Sequence, residues 1–134
     1  MLTMVIDDSR AMRLILKRIV AQIGFDVVEA GNGKEAMDYL HEALAGDDES
    51  KVPGLALVDW NMPEMNGLEF VTAVRADQRL RNMTLMMVTT ESEQSQIVRA
   101  LASGAHEYVI KPFTPDAIID KLGLLGLLPN GVAA

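Results

Sequence analysis

The chain has 134 residues, enough for one domain that buries roughly two-thirds of its unfolded surface. Hydrophobic residues at 49% and charged ones at 23% describe an ordinary globular composition, and no apolar run approaches bilayer-spanning length. Nineteen acidic residues against twelve basic ones, a net charge of −7, would repel a phosphate backbone, and the absence of Cys excludes disulfides and thiolate metal sites.

Leu2–Ile6 reads as a buried strand that runs into the acidic pair Asp7-Asp8. No basic leader or cleavage site precedes it, so a cytoplasmic location is expected. Ser9 can cap a helix in which Met12, Ile15, Leu16, Ile19, Val20 and Ile23 recur at helical spacing, with Gly24 as its stop. Residues 25–30 mix polar and apolar side chains, which suits the edge of a sheet better than its centre. Asn32, with Glu35 three positions on, opens a second helix carrying Met37, Leu40 and Leu44, and Gly46 closes it.

Residues 46–54 form a charged loop whose Asp47-Asp48-Glu49 run lacks the spaced ligands of a calcium site and reads as a solvated connector. The apolar run Leu55–Val58, bounded by Pro53-Gly54 and a Pro-containing loop, fits a parallel strand covered on both faces. It delivers Asp59 to its carboxyl end, where open α/β sheets place their ligands. Trp60 beside it is expected to be partly exposed.

Asn66 and Glu69 form a capping-box pattern for a third helix with Val71 and Val74 inward. After a polar connector over residues 77–82, residues 83–88 make a fourth strand, ending in Thr89-Thr90-Glu91. A fourth helix carries Ile97, Val98 and Leu101 and stops at Gly104. The fifth strand, residues 106–110, leads to Lys111-Pro112, and Thr114 caps a last helix with Pro115 in its first turn. His41 and His106 lack partners at ligand spacing and read as bystanders, while the nine Met residues read as core filler. Five strand signals alternating with five helix signals predict an α/β doubly wound parallel sheet with helices on both faces.

Carboxyl ends of parallel strands share one rim, so Asp7, Asp8, Asp59, Thr89 and Lys111 should converge. Two carboxylates about 5 Å apart repel by roughly 3 kcal/mol at an effective dielectric of about 20, so three demand a balancing cation. Oxygen donors without His or Cys suit a hard ion, Mg²⁺ above all. Lys111 and the Thr89 hydroxyl could then hold phosphoryl oxygens on Asp59, which makes phosphoryl transfer to an aspartate the implied reaction.

Asp7-Asp8-Ser9-Arg10, Asp59-Trp60-Asn61-Met62-Pro63, Met65-Asn66-Gly67, Val88-Thr89 and Lys111-Pro112-Phe113 together resemble the receiver domain of two-component response regulators, over almost the whole chain. Within that family the chemotaxis branch is the nearest likeness. The resemblance implies a single receiver domain over residues 1–134, a flavodoxin-like strand order 2-1-3-4-5, and phosphorylation of Asp59 by a histidine kinase. It implies Mg²⁺ ligated by Asp8, Asp59 and the Asn61 backbone carbonyl, with Asp7 acting through a water. Thr89 and Tyr108 become the switch pair, Lys111 the phosphate's partner through a cis bond to Pro112, and Asn61 and Glu91 the side chains that govern phosphate lifetime. A downstream protein would read the face built from the fourth helix, fifth strand and fifth helix. Neither nucleic acid nor membrane is an expected partner, and a monomer is expected, with a phosphorylation-linked dimer as the alternative.

Three features depart from that pattern: Thr90 is bulkier than usual, the loop over residues 46–54 is long, and residues 123–134 form an apolar, glycine-weakened tail expected to be irregular. Competing functions are a phosphorelay shuttle to a histidine phosphotransfer protein, a Mg²⁺-dependent aspartyl phosphohydrolase, a flavin carrier and a phosphate-blind adaptor. The hydrolase needs a second Asp two positions after the nucleophile, where Asn61 stands, and the Asp7-Asp8 pair would repel a flavin phosphate.

Overall fold

A computed structural model describes residues 1–129, and the end of the tail, residues 130–134, lies outside them. Five parallel strands, β1 Leu2–Ile6, β2 Asp26–Ala30, β3 Leu55–Val58, β4 Thr84–Thr89 and β5 Glu107–Ile110, pair in the order β2-β1-β3-β4-β5. Register runs evenly across the sheet, with Ile6 opposite both Ala30 and Val58, and Thr89 opposite Ile110. The mixed-polarity segment is therefore the edge strand, and the uninterrupted Leu55–Val58 run is the centre, fully buried.

Side chains alternate between two cores, as strand geometry requires. Met4, Ile6, Ala56, Val58, Leu85 and Met87 face α2 Gly33–Ala45, α3 Gly67–Ala76 and α4 Gln94–Ser103, where Met37, Leu40, Phe70, Val71, Val74 and Ala100 meet them. Val5, Leu55, Leu57, Met86 and Val88 face α1 Arg10–Gln22 and α5 Pro115–Leu124, against Leu16, Ile19, Val20, Ile118 and Leu122. Helix ends follow their cap residues: Ser9, Asn32, Asn66 and Thr114 each accept a backbone N–H from the first turn. The Asn66-Glu69 pair closes a full capping box, whereas Glu35 reaches past Asn32 to the Gly31 N–H at 3.0 Å. Gly24, at φ +93°, ends α1 in a conformation L side chains avoid.

Several expectations need correction. Trp60 is buried at 8% accessibility, because it joins the core on the α2, α3 and α4 side of the sheet instead of facing solvent. Ile15 is 46% exposed, since the apolar stripe of α1 is wider than the part the sheet covers, and on α4 Val98 and Leu101 also face out. His106 is no bystander: its Nδ1 accepts the Leu85 N–H at 3.1 Å and lies 3.1 Å from the Arg75 guanidinium. Arg75 also donates to the carbonyls of Gly104, Arg81 and Met83, tying α3 to the entry of β4 and β5. The charged loop is a solvated connector with one short 3-10 turn, Glu49–Lys51, and Tyr39 donates its hydroxyl to the Lys51 carbonyl at 2.8 Å. Among the described residues no helix is long and apolar enough to cross a membrane.

Candidate functional site

The parallel register brings the ends of β1, β3, β4 and β5 to one rim. Asp59 extends the β1–β3 ladder by one step, its N–H donated to the Ile6 carbonyl at 2.9 Å, so its carboxylate starts from a fixed backbone. One oxygen accepts the Trp60 N–H at 2.8 Å, and the other lies 3.7 Å from the Lys111 ammonium. Asp7, almost wholly buried, accepts the Ser9 N–H at 2.9 Å on one oxygen and Lys111 Nζ at 2.7 Å on the other. Asp8 is exposed beside them. Carboxylate oxygens of Asp7, Asp8 and Asp59 all lie within 4.8 Å of one another.

At that spacing each pair of carboxylates repels by on the order of 3 kcal/mol, and Lys111 alone cannot balance three of them. An oxygen-only set with one solvent-facing member fits a hard divalent ion that keeps several waters, and this matches Mg²⁺. Burial raises the Asp59 carboxyl above its ordinary range, and Asp7 adds to that. The Thr89 hydroxyl, Lys111 and the Trp60 N–H work in the opposite direction. Asp59 is thus a desolvated carboxylate that gains from any further positive charge.

A second layer surrounds it. Thr89 is fully buried at the end of β4, and its hydroxyl oxygen accepts N–H groups from Trp60 and Glu91, each at 3.4 Å. The Tyr108 hydroxyl donates to the Glu91 carbonyl at 2.6 Å, with the ring folded inward at 8% accessibility. Burial, then Glu91 and Asp59, push that phenol up to about 12. The Asn61 side-chain amide donates to the Glu91 carboxylate, and Thr90 stands exposed next to this clasp. Gly67 has no room for a side chain: a Cβ there would lie 2.1 Å from the Asp59 carbonyl oxygen. The Lys111–Pro112 peptide is cis.

All eight residues singled out in the sequence thus gather at or beside one rim. This constellation sits in a chain whose residues 3–123 match the response regulator receiver domain model. The chain belongs to the response regulator receiver domain family. This receiver is 42% identical over 120 residues to the chemotaxis protein CheY1 of Helicobacter pylori, spanning 89% of this chain and 91% of that protein. It is 37% identical over 129 residues to the chemotaxis protein CheY of Pseudomonas aeruginosa, spanning 96% and 98%. Among solved structures, the Vibrio cholerae chemotaxis protein CheY4 superposes with a TM-score of 0.76 at 29% identity, over 92% of this receiver and 96% of that chain.

One contact at the rim was not anticipated: Arg13 on α1 donates to the Asp7 carbonyl at 2.7 Å. No signal in the sequence marks it, because its acceptor is a backbone carbonyl that any residue could offer.

Proposed function

We propose that this receiver is a phosphoacceptor switch in a two-component chemotaxis relay, with Asp59 as the acceptor. The observation that carries the reading is the shared rim, where the Asp59 carboxylate lies within 4.8 Å of two further acidic groups and 3.7 Å from a lysine ammonium. An Asp59 oxygen attacks the phosphorus of a kinase phosphohistidine; the O–P bond forms as the N–P bond breaks, and the departing imidazole takes a proton. Asp8, Asp59 and the Asn61 carbonyl would hold Mg²⁺, with Asp7 acting through water. Bound Mg²⁺ supplies positive charge for the phosphoryl oxygens. Lys111 leaves Asp7 for the phosphoryl group, and the Thr89 hydroxyl donates to a second oxygen. Both groups start within reach of the Asp59 carboxylate.

A new dianion at this rim biases Thr89 and Tyr108, which are joined through Glu91. The downstream reader is a protein docking on α4, β5 and α5, where Val98, Leu101, Ile110 and Leu124 expose apolar surface. A net charge of −7 argues against nucleic acid as that reader. Asn61 and Glu91, clasped over the site, set how readily water attacks the acyl phosphate. The phosphohydrolase alternative lacks its acid, because the group two positions after Asp59 is an amide already engaged with Glu91. The names of the relatives favour chemotaxis over a phosphorelay shuttle.

Trp60 fluorescence tests the reading, since its backbone N–H is bonded to the Asp59 carboxylate. Mg²⁺ should change the signal saturably, a small acyl phosphodonor should change it again, and Asp59→Ala should abolish the second response. A phosphodonor response retained by Asp59→Ala sinks the proposal.

A further inference from the structure

Every polar atom of Asp7 is engaged. Its N–H is donated to the Ala30 carbonyl at 3.1 Å, one carboxylate oxygen accepts Ser9 N–H, the other accepts Lys111, and its carbonyl accepts Arg13 Nη1 at 2.7 Å. Asp8 has no such support: among the described residues its side chain makes no hydrogen bond or ion pair. The Asp7 carbonyl belongs to the peptide plane that carries the Asp8 nitrogen and Cα, so whatever fixes that oxygen fixes the base from which the exposed Asp8 side chain departs.

Arg13 is itself braced. Its Nε donates to Glu29 Oε1 at 3.0 Å, and Lys17 Nζ lies 3.8 Å from the other oxygen of the same carboxylate. The guanidinium thereby spans from α1 to the carboxyl ends of both β1 and β2. Its planar fork suits this two-sided grip in a way an ammonium does not.

We infer that Arg13 is a positioning residue for the cation site, holding the Asp7–Asp8 peptide so that Asp8 meets the oxygens of Asp7 and Asp59 in ligating geometry. The inference rests on the cation site described under Proposed function. Its sign is diagnostic. A nearby cation repels a dication, so if Arg13 acted through charge alone, its removal would tighten Mg²⁺ binding. If it positions the peptide, removal loosens binding despite the lost repulsion, and outer-sphere partners of this kind typically govern metal affinity by about tenfold or more.

The test is a Mg²⁺ titration of the full chain followed by calorimetry, with the urea midpoint recorded for each variant to establish that it is folded. Arg13→Gln should bind Mg²⁺ about tenfold more weakly than wild type. Lys17→Gln, which removes the same charge one turn along without touching Asp7, should stay within about twofold. Should Arg13→Gln not fold, Arg13→Lys serves instead: it keeps the charge, cannot grip Asp7 and Glu29 together, and should still bind about threefold more weakly. Unchanged or tighter binding in the folded Arg13 variant overturns the inference while leaving the site intact. Absence of saturable binding in wild type, or retention of full affinity by Asp8→Asn, overturns the cation site itself and the inference with it.

Discussion

Lys111 stands 2.7 Å from Asp7 and 3.7 Å from Asp59, so its ammonium is committed to the more buried carboxylate and only leans toward the proposed acceptor. The lysine therefore serves the fold before any part it plays at the proposed phosphoryl site. Breaking a buried pair leaves an uncompensated charge, and Lys111→Met should cost about 3 kcal/mol in urea unfolding. Mg²⁺ should recover part of that loss by binding only the native state, with a gain that grows with its concentration. A variant as stable as wild type without Mg²⁺ would show that Asp7 does not depend on Lys111.

Tyr108 offers a separate reading of the rim. Its hydroxyl bond to the Glu91 carbonyl is partly buried, and Tyr108→Phe should lower stability by about 1 kcal/mol. The phenol is raised from 10.0 to about 12, so the folded state holds this proton more tightly than the unfolded chain. Its contribution is fully present below pH 10 and is lost as pH rises toward about 12. Tyrosinate absorbance under native conditions should accordingly lag that of the urea-unfolded chain, with Tyr39, also raised, following the same direction. Coincident titration curves in the two states contradict the buried hydroxyl.

At the opposite end of the sheet, His106 is useful only while neutral, because both of its Nδ1 neighbours, Leu85 N–H and Arg75, are donors. Although the residue is exposed on one side, this buried edge and the Arg75 charge hold its pKa below 6.5. Folding therefore favours the deprotonated ring. The stabilisation is present above pH 6.5 and is lost as pH falls through that value toward the lowered one. His106→Asn keeps an acceptor that does not titrate, so its urea midpoint should vary less than that of wild type between about pH 5 and 8. Equal pH slopes in the two proteins would remove His106 from the account.

Gly67 tests how tightly the loop after β3 is drawn. A methyl group there meets backbone, the Asp59 carbonyl at 2.1 Å, and backbone cannot swing aside as a side chain can. Gly67→Ala should destabilise by about 2 kcal/mol or more and weaken Mg²⁺ binding, both seen in one titrated unfolding series. A near-neutral effect on both would mean the loop relaxes freely.

Much of this molecule is legible from residue order because its strands alternate faces and its helices begin at recognisable caps. Asn66 and Glu69 specify their helix start locally, and the Leu55–Val58 run has too little polarity for anything but the sheet centre. Rim convergence also follows from topology, since parallel strands put Asp7, Asp59, Thr89 and Lys111 at one end whatever the loops do. What escaped was set by neighbours distant in sequence. Trp60 is buried because it joins the core on the α2, α3 and α4 side of the sheet, and nothing adjacent to it in the chain records that. Ile15, Val98 and Leu101 satisfy helical periodicity, yet the sheet is too narrow to cover every apolar position on α1 and α4. Arg13, Arg75 and His106 act through backbone carbonyls and N–H groups, acceptors and donors that every residue carries and no motif can mark.

The central claim is that Asp59 carries the phosphoryl group. Intact-mass and peptide-mapping measurements after incubation with Mg²⁺ and a small acyl phosphodonor test it without needing a kinase. Wild type should gain a single phosphoryl group, located in the peptide containing Asp59 and absent from Asp59→Asn. A phosphoryl group on any other residue, or one that persists in Asp59→Asn, contradicts the claim.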